Sequence, residues 1–326
     1  MDKLIEAFSS QIREGLTISE SIDFTPKSEI RNIVLCGLGG SGIGGRLVSE
    51  IASDSLLVPF ISNHDYSVPN YINENTLVIV SSYSGNTEET LEAFERCIEA
   101  NAQVVCITSG GRIAEIAQEK NFALIKVPGG NPPRASLAYS VVSQLILLSK
   151  LQLVKKDFRK LLKECVNFID NISDYAKDIA MEIAVETHQS LPILYTSGEY
   201  ESIGIRTKQQ LNENSKMLCW SNVIPEMNHN ELVGWASGND NITAIFFEPE
   251  DLHSRNKERF SLSKSIIRSK GAKIIEIPSK GSTKLERFFY YIHLGDWLSY
   301  FLAVKNNVDP FEIEVIDYLK GKLAEL

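Results

Sequence analysis

Two serine- and glycine-rich loops, each following an apolar strand-like run, hold the side chains best suited to chemistry. The first, Cys36-Gly-Leu-Gly-Gly-Ser-Gly-Ile-Gly-Gly45, follows Asn32-Ile-Val-Leu. The second, Ser81-Ser-Tyr-Ser-Gly-Asn-Thr-Glu-Glu-Thr90, follows Thr76-Leu-Val-Ile-Val. Both continue into helical pattern. Backbone N–H groups at a helix N-terminus attract anions, and hydroxyl donors extend such a cradle. Two such loops on one parallel sheet predict a single phosphate held between them. Ser82, Ser84 and Thr87 place three hydroxyls within six residues, beside a glycine. Short hydroxyl side chains donate hydrogen bonds without adding charge, so a dianion can bind and still leave. The ordinary alternative for each is an N-cap or turn residue, and Thr87 with Glu88 and Thr90 resembles a helix cap.

The first loop has a rival reading. Gly37-Leu-Gly39-Gly-Ser-Gly42 fits the dinucleotide pattern GxGxxG between a strand and a helix. That pattern requires an acidic residue closing the next strand, to hold the ribose. Here Phe60-Ile61 is followed by Ser62-Asn63-His64, and Asp65 lies past the strand end. The second loop has no part in a dinucleotide site, so the phosphate cradle is preferred.

Three polar motifs follow. Asn131-Pro-Pro-Arg-Ala-Ser136 sets Arg134 at a helix start, where the helix dipole disfavours a cation. Leu211-Asn-Glu-Asn-Ser215 holds Glu213 between two amides that could orient it by hydrogen bonds. A buried carboxylate titrates nearer neutrality, which suits a general base. Pro225-Glu-Met-Asn-His-Asn-Glu231 presents His229 in a segment too polar for a core. No metal is expected. The five histidines (His64, His188, His229, His253 and His293) are far apart, and no HxH or HExxH pair occurs.

The elements that must position these groups alternate. Strand-like runs occur at Ile33–Cys36, Leu56–Ile61, Leu77–Val80, Val104–Ile107 and Ala123–Val127, with helical stretches between them and a long helix from Ala135 to Leu153. This is the pattern of βαβ units in a parallel α/β sheet covered on both faces. A charged stretch at Lys155-Lys-Asp157 marks a boundary, giving domains 1–153 and 154–326. The second half repeats the scheme, with strands at Leu191–Thr196, Ile242–Phe247 and Lys273–Ile277 and a last amphipathic helix over Phe311–Leu323. It lacks loops as rich as the first two, so one phosphate site is expected.

Composition narrows the function further. The formal charge of −9, with no basic run, excludes a nucleic-acid partner. The five cysteines form no CxxC, and Cys36 and Cys106 read as buried free thiols. That favours a reducing compartment. The acidic, amphipathic start is neither a signal nor a transit peptide, and no apolar run reaches membrane-spanning length. The expected location is cytoplasmic.

The chain resembles the bifunctional phosphoglucose/phosphomannose isomerases, within the sugar isomerase (SIS) superfamily. The resemblance rests on GLGGSGIGG (37–45), SSYSGNTEET (81–90), NPPRAS (131–136), KQQLNENSK (208–216), PEMNHNELVGW (225–235) and IDYLK (316–320). It implies two similar SIS-type, flavodoxin-like parallel-sheet domains, with added N- and C-terminal helices. It also implies a homodimer and metal- and cofactor-free isomerisation of a hexose 6-phosphate. By resemblance, Gly40, Ser41, Ser82, Ser84 and Thr87 bind the phosphate and Glu213 is the base. His229, supplied across the dimer interface, opens the ring with Lys320, and Arg134 steadies the enediolate. The sequence departs from the family between Val308 and Lys320, which contains no Ser, Thr, Asn or Gln. The resemblance sets small polar residues there to admit mannose phosphates, and Phe311 and Ile313 stand in that region instead. Two other readings keep the loops. One is a sugar-phosphate sensor without turnover. The other is a related SIS enzyme acting on aminosugar phosphates, which the lack of a glutaminase domain disfavours.

Overall fold

The structure is a computed structural model that describes residues 1–238 and 241–325. Its elements in order are α1 (Asp2–Glu6), α2 (Phe8–Glu20), β1 (Asn32–Cys36), α3 (Gly39–Ile51), β2 (Phe60–Asn63), β3 (Thr76–Ser81), α4 (Glu88–Glu99), β4 (Gln103–Thr108), α5 (Gly111–Glu119), β5 (Ala123–Lys126), α6 (Leu137–Lys150) and α7 (Phe158–Thr187). There follow β6 (Leu191–Ser197), α8 (Glu201–Ser215), β7 (Trp220–Ile224), α9 (Glu231–Gly234), β8 (Ile242–Glu248), α10 (Ser254–Ser269), β9 (Lys273–Pro278), α11 (Lys284–Asn306) and α12 (Glu314–Leu323). The chain separates into two compact units. The N-terminal unit is Glu6–Asn171 with Thr283–Phe289, and the C-terminal unit is Met1–Ile5, Ile172–Ser282 and Tyr290–Leu326.

The N-terminal unit holds a five-stranded parallel sheet in the order β2-β1-β3-β4-β5. Side chains alternate across a strand, so a sheet covered on both faces needs apolar residues at every position. β1, β3 and β4 meet that need with near-continuous Val, Ile, Leu and Cys. One face, formed by Val34, Cys36, Val78, Val80, Val104 and Cys106, packs on Phe94, Cys97, Ile113 and Ala117 of α4 and α5. β2 starts at Phe60, later than the sequence pattern suggests, because Pro59 has no N–H to pair and only its carbonyl accepts, from Ile33. Leu56 instead makes an antiparallel bridge to Val154. Cys36 and Cys106 are buried free thiols, and desolvation pushes Cys106 up to about 12.

The C-terminal unit is a four-stranded parallel sheet, β7-β6-β8-β9. β7 has no counterpart in the strand-like runs of the sequence. It is an edge strand, only partly buried, and polar at Ser221 and Asn222, so it lacks an apolar signature. Ile193, Tyr195, Phe246, Met227, Trp235 and Phe260 form one core.

His293, on α11, is buried among aromatics of the same unit, its Nε2 accepting from Trp297 Nε1 at 3.2 Å and lying 2.8 Å from Ser173 Oγ. Desolvation, then Lys177, lowers this imidazole from 6.5 to about 4. The unfolded chain therefore binds a proton here that the folded protein refuses, and stability falls as pH drops from 6.5 toward 4. Chemical denaturation of the wild type and His293→Gln between about pH 7 and about pH 4 should show the variant losing about 3 kcal/mol less. Parallel losses would contradict the burial of a neutral ring.

Candidate active site

In an open parallel sheet, ligands bind outside the strand C-termini where the strand order reverses. In the N-terminal unit that point lies between β1 and β3, and the two glycine–serine loops are the ones that leave it. The first loop lies backbone on backbone against the end of β3 and against itself. A methyl group on Gly37 would lie 2.5 Å from the Ser81 carbonyl oxygen, and one on Gly42 would lie 2.4 Å from the Gly37 oxygen. Both helices that follow lack a side-chain cap. Leu38 at the N-cap of α3 has no polar atom, and Thr87 at the N-cap of α4 is extended (φ −69°, ψ 117°) without capping. The Thr87 hydroxyl instead meets Ser82 Oγ at 2.9 Å, so the capping role considered for it from sequence is not the one it plays. Helix N–H groups left uncapped are available to an anion.

The other predicted groups of this unit collect around the same point. Ser41 Oγ accepts from the Tyr83 N–H at 3.1 Å, and Ser84 Oγ from the Asn86 N–H at 3.3 Å. A methyl on Gly40 would lie 3.2 Å from the Pro133 oxygen and 3.5 Å from Arg134 Cα, which places the arginine's backbone beside the first loop. Arg134 itself is buried, in a 3-10 turn (Pro133–Ala135) ahead of α6. Tyr83, with no motif signal of its own, joins three loops. Its hydroxyl accepts from the Asn131 N–H at 3.2 Å, and its carbonyl accepts from Ser109 Oγ at 2.6 Å. His64 stands where a dinucleotide site would need an acid. Its Nδ1 donates to the Gly37 oxygen at 2.9 Å, and its Nε2 accepts from Arg46 at 3.0 Å.

The equivalent loops of the second sheet, after β6 and β8, read Gly198-Glu-Tyr-Glu201 and Pro249-Glu-Asp251. They are acidic, with Tyr200 Oη donating to Asp251 at 2.9 Å, and would repel a phosphate.

Glu213 lies half-buried in the last turn of α8. A polar ladder at four-residue spacing fixes that helix on α11. Arg206 Nη2 donates to Asp296 at 2.9 and 3.1 Å, Gln210 Nε2 to Asp296 Oδ1 at 2.7 Å, and Asn214 Nδ2 to Ser299 Oγ at 2.9 Å. Asn214 therefore serves this seam, and Asn212 is exposed. Lys216, left-handed at φ 55°, closes the helix. Its ammonium donates to the main-chain oxygens of Glu213 (2.8 Å), Asp309 (2.6 Å) and Glu312 (2.8 Å). This clamp joins the Glu213 turn to the segment leading into α12, which buries no residue and carries Lys320 exposed. Phe311 is exposed and Ile313 half-buried.

His229 follows β7 and is exposed. α8 runs back along the sheet from the end of β6 to the start of β7, so Glu213 lies at the strand N-termini and His229 at the C-termini. The length of β7, about 16 Å at ~3.3 Å per residue, separates the two ends. The unit does not bring these two residues together. Among the described residues, no three His, Cys, Asp or Glu side chains cluster to hold a metal ion.

Residues 28–153 match the SIS domain family, and residues 175–323 match the bacterial phospho-glucose isomerase C-terminal SIS domain. The bifunctional phosphoglucose/phosphomannose isomerase of Caldicellulosiruptor bescii is 38% identical, over 97% of this chain and 96% of its own. The chain belongs to the bifunctional phosphoglucose/phosphomannose isomerase family. The family member from Aquifex aeolicus is 36% identical over 99% of this chain and 98% of its own. In fold, the C-terminal domain of glucosamine-fructose-6-phosphate aminotransferase from Francisella tularensis superposes with a TM-score of 0.76. It covers 95% of this chain and 97% of that one at 16% identity. The two-sheet SIS architecture expected from the sequence is thus shared well beyond the family.

The backbone approach within the first loop gives a direct test of the cradle. Gly42→Ala should weaken phosphosugar binding by at least about tenfold in calorimetry. Gly129→Ala is the control, because its added carbon meets only Ser109, at 3.5 Å. Equal effects of the two would contradict the close approach.

Proposed function

We propose that this chain is an aldose–ketose isomerase that interconverts glucose 6-phosphate and fructose 6-phosphate, with mannose 6-phosphate as a third substrate. It works as a homodimer, without metal or cofactor. The kinship along the whole chain carries this reading, and the uncapped, hydroxyl-lined cradle supplies its anchor. The phosphate binds at Gly40, Ser41, Ser82, Ser84 and Thr87. Lys320 and, from the other protomer, the partner subunit's His229 shift a proton between O5 and O1, which opens the ring. Glu213 then takes the proton from C2 of the aldose. The C–H electron pair forms the C1–C2 double bond of a cis-enediol(ate) as the carbonyl oxygen O1 takes up the proton that the O2 hydroxyl gives up. Return of the proton from Glu213 to C1, with the O2 electron pair closing the C2 carbonyl, gives the ketose. Arg134 stabilises the charge that grows on O1 and O2, an electrostatic effect worth several kcal/mol in such sites.

Supply of His229 by the partner agrees with its position at the opposite end of the sheet from Glu213. Exposed apolar side chains at Leu218 and Val233, beside the edge strand β7, favour a protein contact there. We place the enzyme in the cytoplasm, since its cysteines are free thiols. Among the described residues, no helix is long and apolar enough to cross a membrane.

Two experiments test this. The coupled rate with fructose 6-phosphate should be unchanged by a chelator, and its loss would contradict a metal-free reaction. Glu213→Gln and His229→Ala, each nearly inactive alone, should regain about a quarter of wild-type activity when mixed and reassociated. Half of the dimers are then mixed, and one of their two sites is intact. No recovery would place both residues in the same protomer's site.

A further inference from the structure

His229 is exposed, yet residues on both sides of it are anchored. Met227 is fully buried in the core of the C-terminal unit. Asn228 Nδ2 donates to Ser263 Oγ of α10 at 2.7 Å, and Asn230 Nδ2 to Glu226 Oε1 at 2.9 Å. Asn230 Oδ1 in turn caps the Glu231 N–H at 2.5 Å.

Glu231 is the centre of this anchoring. Its Oε1 accepts from the Tyr195 hydroxyl at 2.5 Å and from Trp220 Nε1 at 3.3 Å, and its Oε2 accepts from Asn222 Nδ2 at 2.6 Å. Trp235 Nε1 donates to the Tyr195 oxygen at 3.0 Å. Burial and then the Glu231 carboxylate push the Tyr195 phenol far above its ordinary range, while the Trp235 indole pulls the other way. The phenol keeps its proton and remains a donor. Three donors from β6 and β7 thus converge on one group. An ionised carboxylate is acceptor-only and fits them, whereas an amide would turn an N–H toward another donor. This network lies two residues along the chain from the exposed His229, so its effect is to fix the backbone from which that imidazole projects.

We propose that Glu231 is the positioning residue for His229, setting the imidazole for ring opening through the Tyr195–Trp220–Asn222 network. This rests on the role given to His229 above. A residue acting only through another loses its effect once the other is gone, whereas a residue with an independent role does not. The experiment is a double-mutant cycle of Glu231→Gln and His229→Ala in the full-length protein, with fructose 6-phosphate. Glu231→Gln should lower kcat by about tenfold with KM within about twofold, and should change kcat by less than about twofold in the His229→Ala background. An equal loss in both backgrounds, or an unchanged kcat in Glu231→Gln alone, overturns the proposal. His229→Ala at the wild-type rate would instead remove the ring-opening assignment beneath it. Should Glu231→Gln fail to fold, Trp235→Phe, which removes the donor behind Tyr195, should give a loss of about threefold that also vanishes without His229. A loss that persists there overturns the proposal equally.

Discussion

The candidate phosphate site depends on peptide backbones packed closer than a Cβ would permit. The loop after β1 meets the end of β3 at Gly37 and folds onto itself at Gly42, each too close for a Cβ. That approach brings two uncapped helix N-termini toward one point and sets the Ser82–Thr87 hydroxyl pair beside them. Glycine costs conformational entropy, and a run of them is tolerated only where geometry demands it. Here the demand is the close backbone approach at Gly37 and Gly42. His64 and Tyr83 brace the first loop, His64 at the Gly37 oxygen and Tyr83, from the second loop, at Ser41.

The C-terminal unit meets a different need with different chemistry. Where the first unit uses backbone, the second uses buried polar side chains. Burial raises the Asp296 carboxyl, and Arg206 and Gln210 pull it back down. Such a pair adds little net stability, because desolvation offsets its attraction. Its effect here is geometric, since the bonds to Asp296 and Ser299 fix the rotation of α8 and with it the turn that holds Glu213. Lys216 and Glu231 do comparable work for the segments that carry Lys320 and His229, each collecting three partners on one charged group.

Much of this was legible in the sequence where a single physical cause dominates. Fully buried parallel strands need unbroken apolar runs, and β1, β3, β4, β6 and β8 all show them. The two loops stood out because neither clustered glycine nor clustered hydroxyl has a common structural use at strand ends. β7 was hidden because an edge strand with Ser221 and Asn222 is held by its neighbours more than by its own pattern. Asn214 illustrates the limit for the site. Next to a candidate base it reads as an orienting amide, yet helix geometry turns it to the α11 seam. Tyr83, Lys216 and Glu231 act by bonds to residues distant in the chain, which spacing alone does not encode.

The most direct test of the central claim, that Glu213 carries the proton between C1 and C2, is solvent exchange. Fructose 6-phosphate incubated in deuterium oxide with the wild type should yield glucose 6-phosphate carrying deuterium at C2. Glu213→Gln should bind the sugar phosphate with nearly unchanged affinity and incorporate none. Incorporation by that variant at the wild-type rate would show that another group moves the proton and would contradict the account.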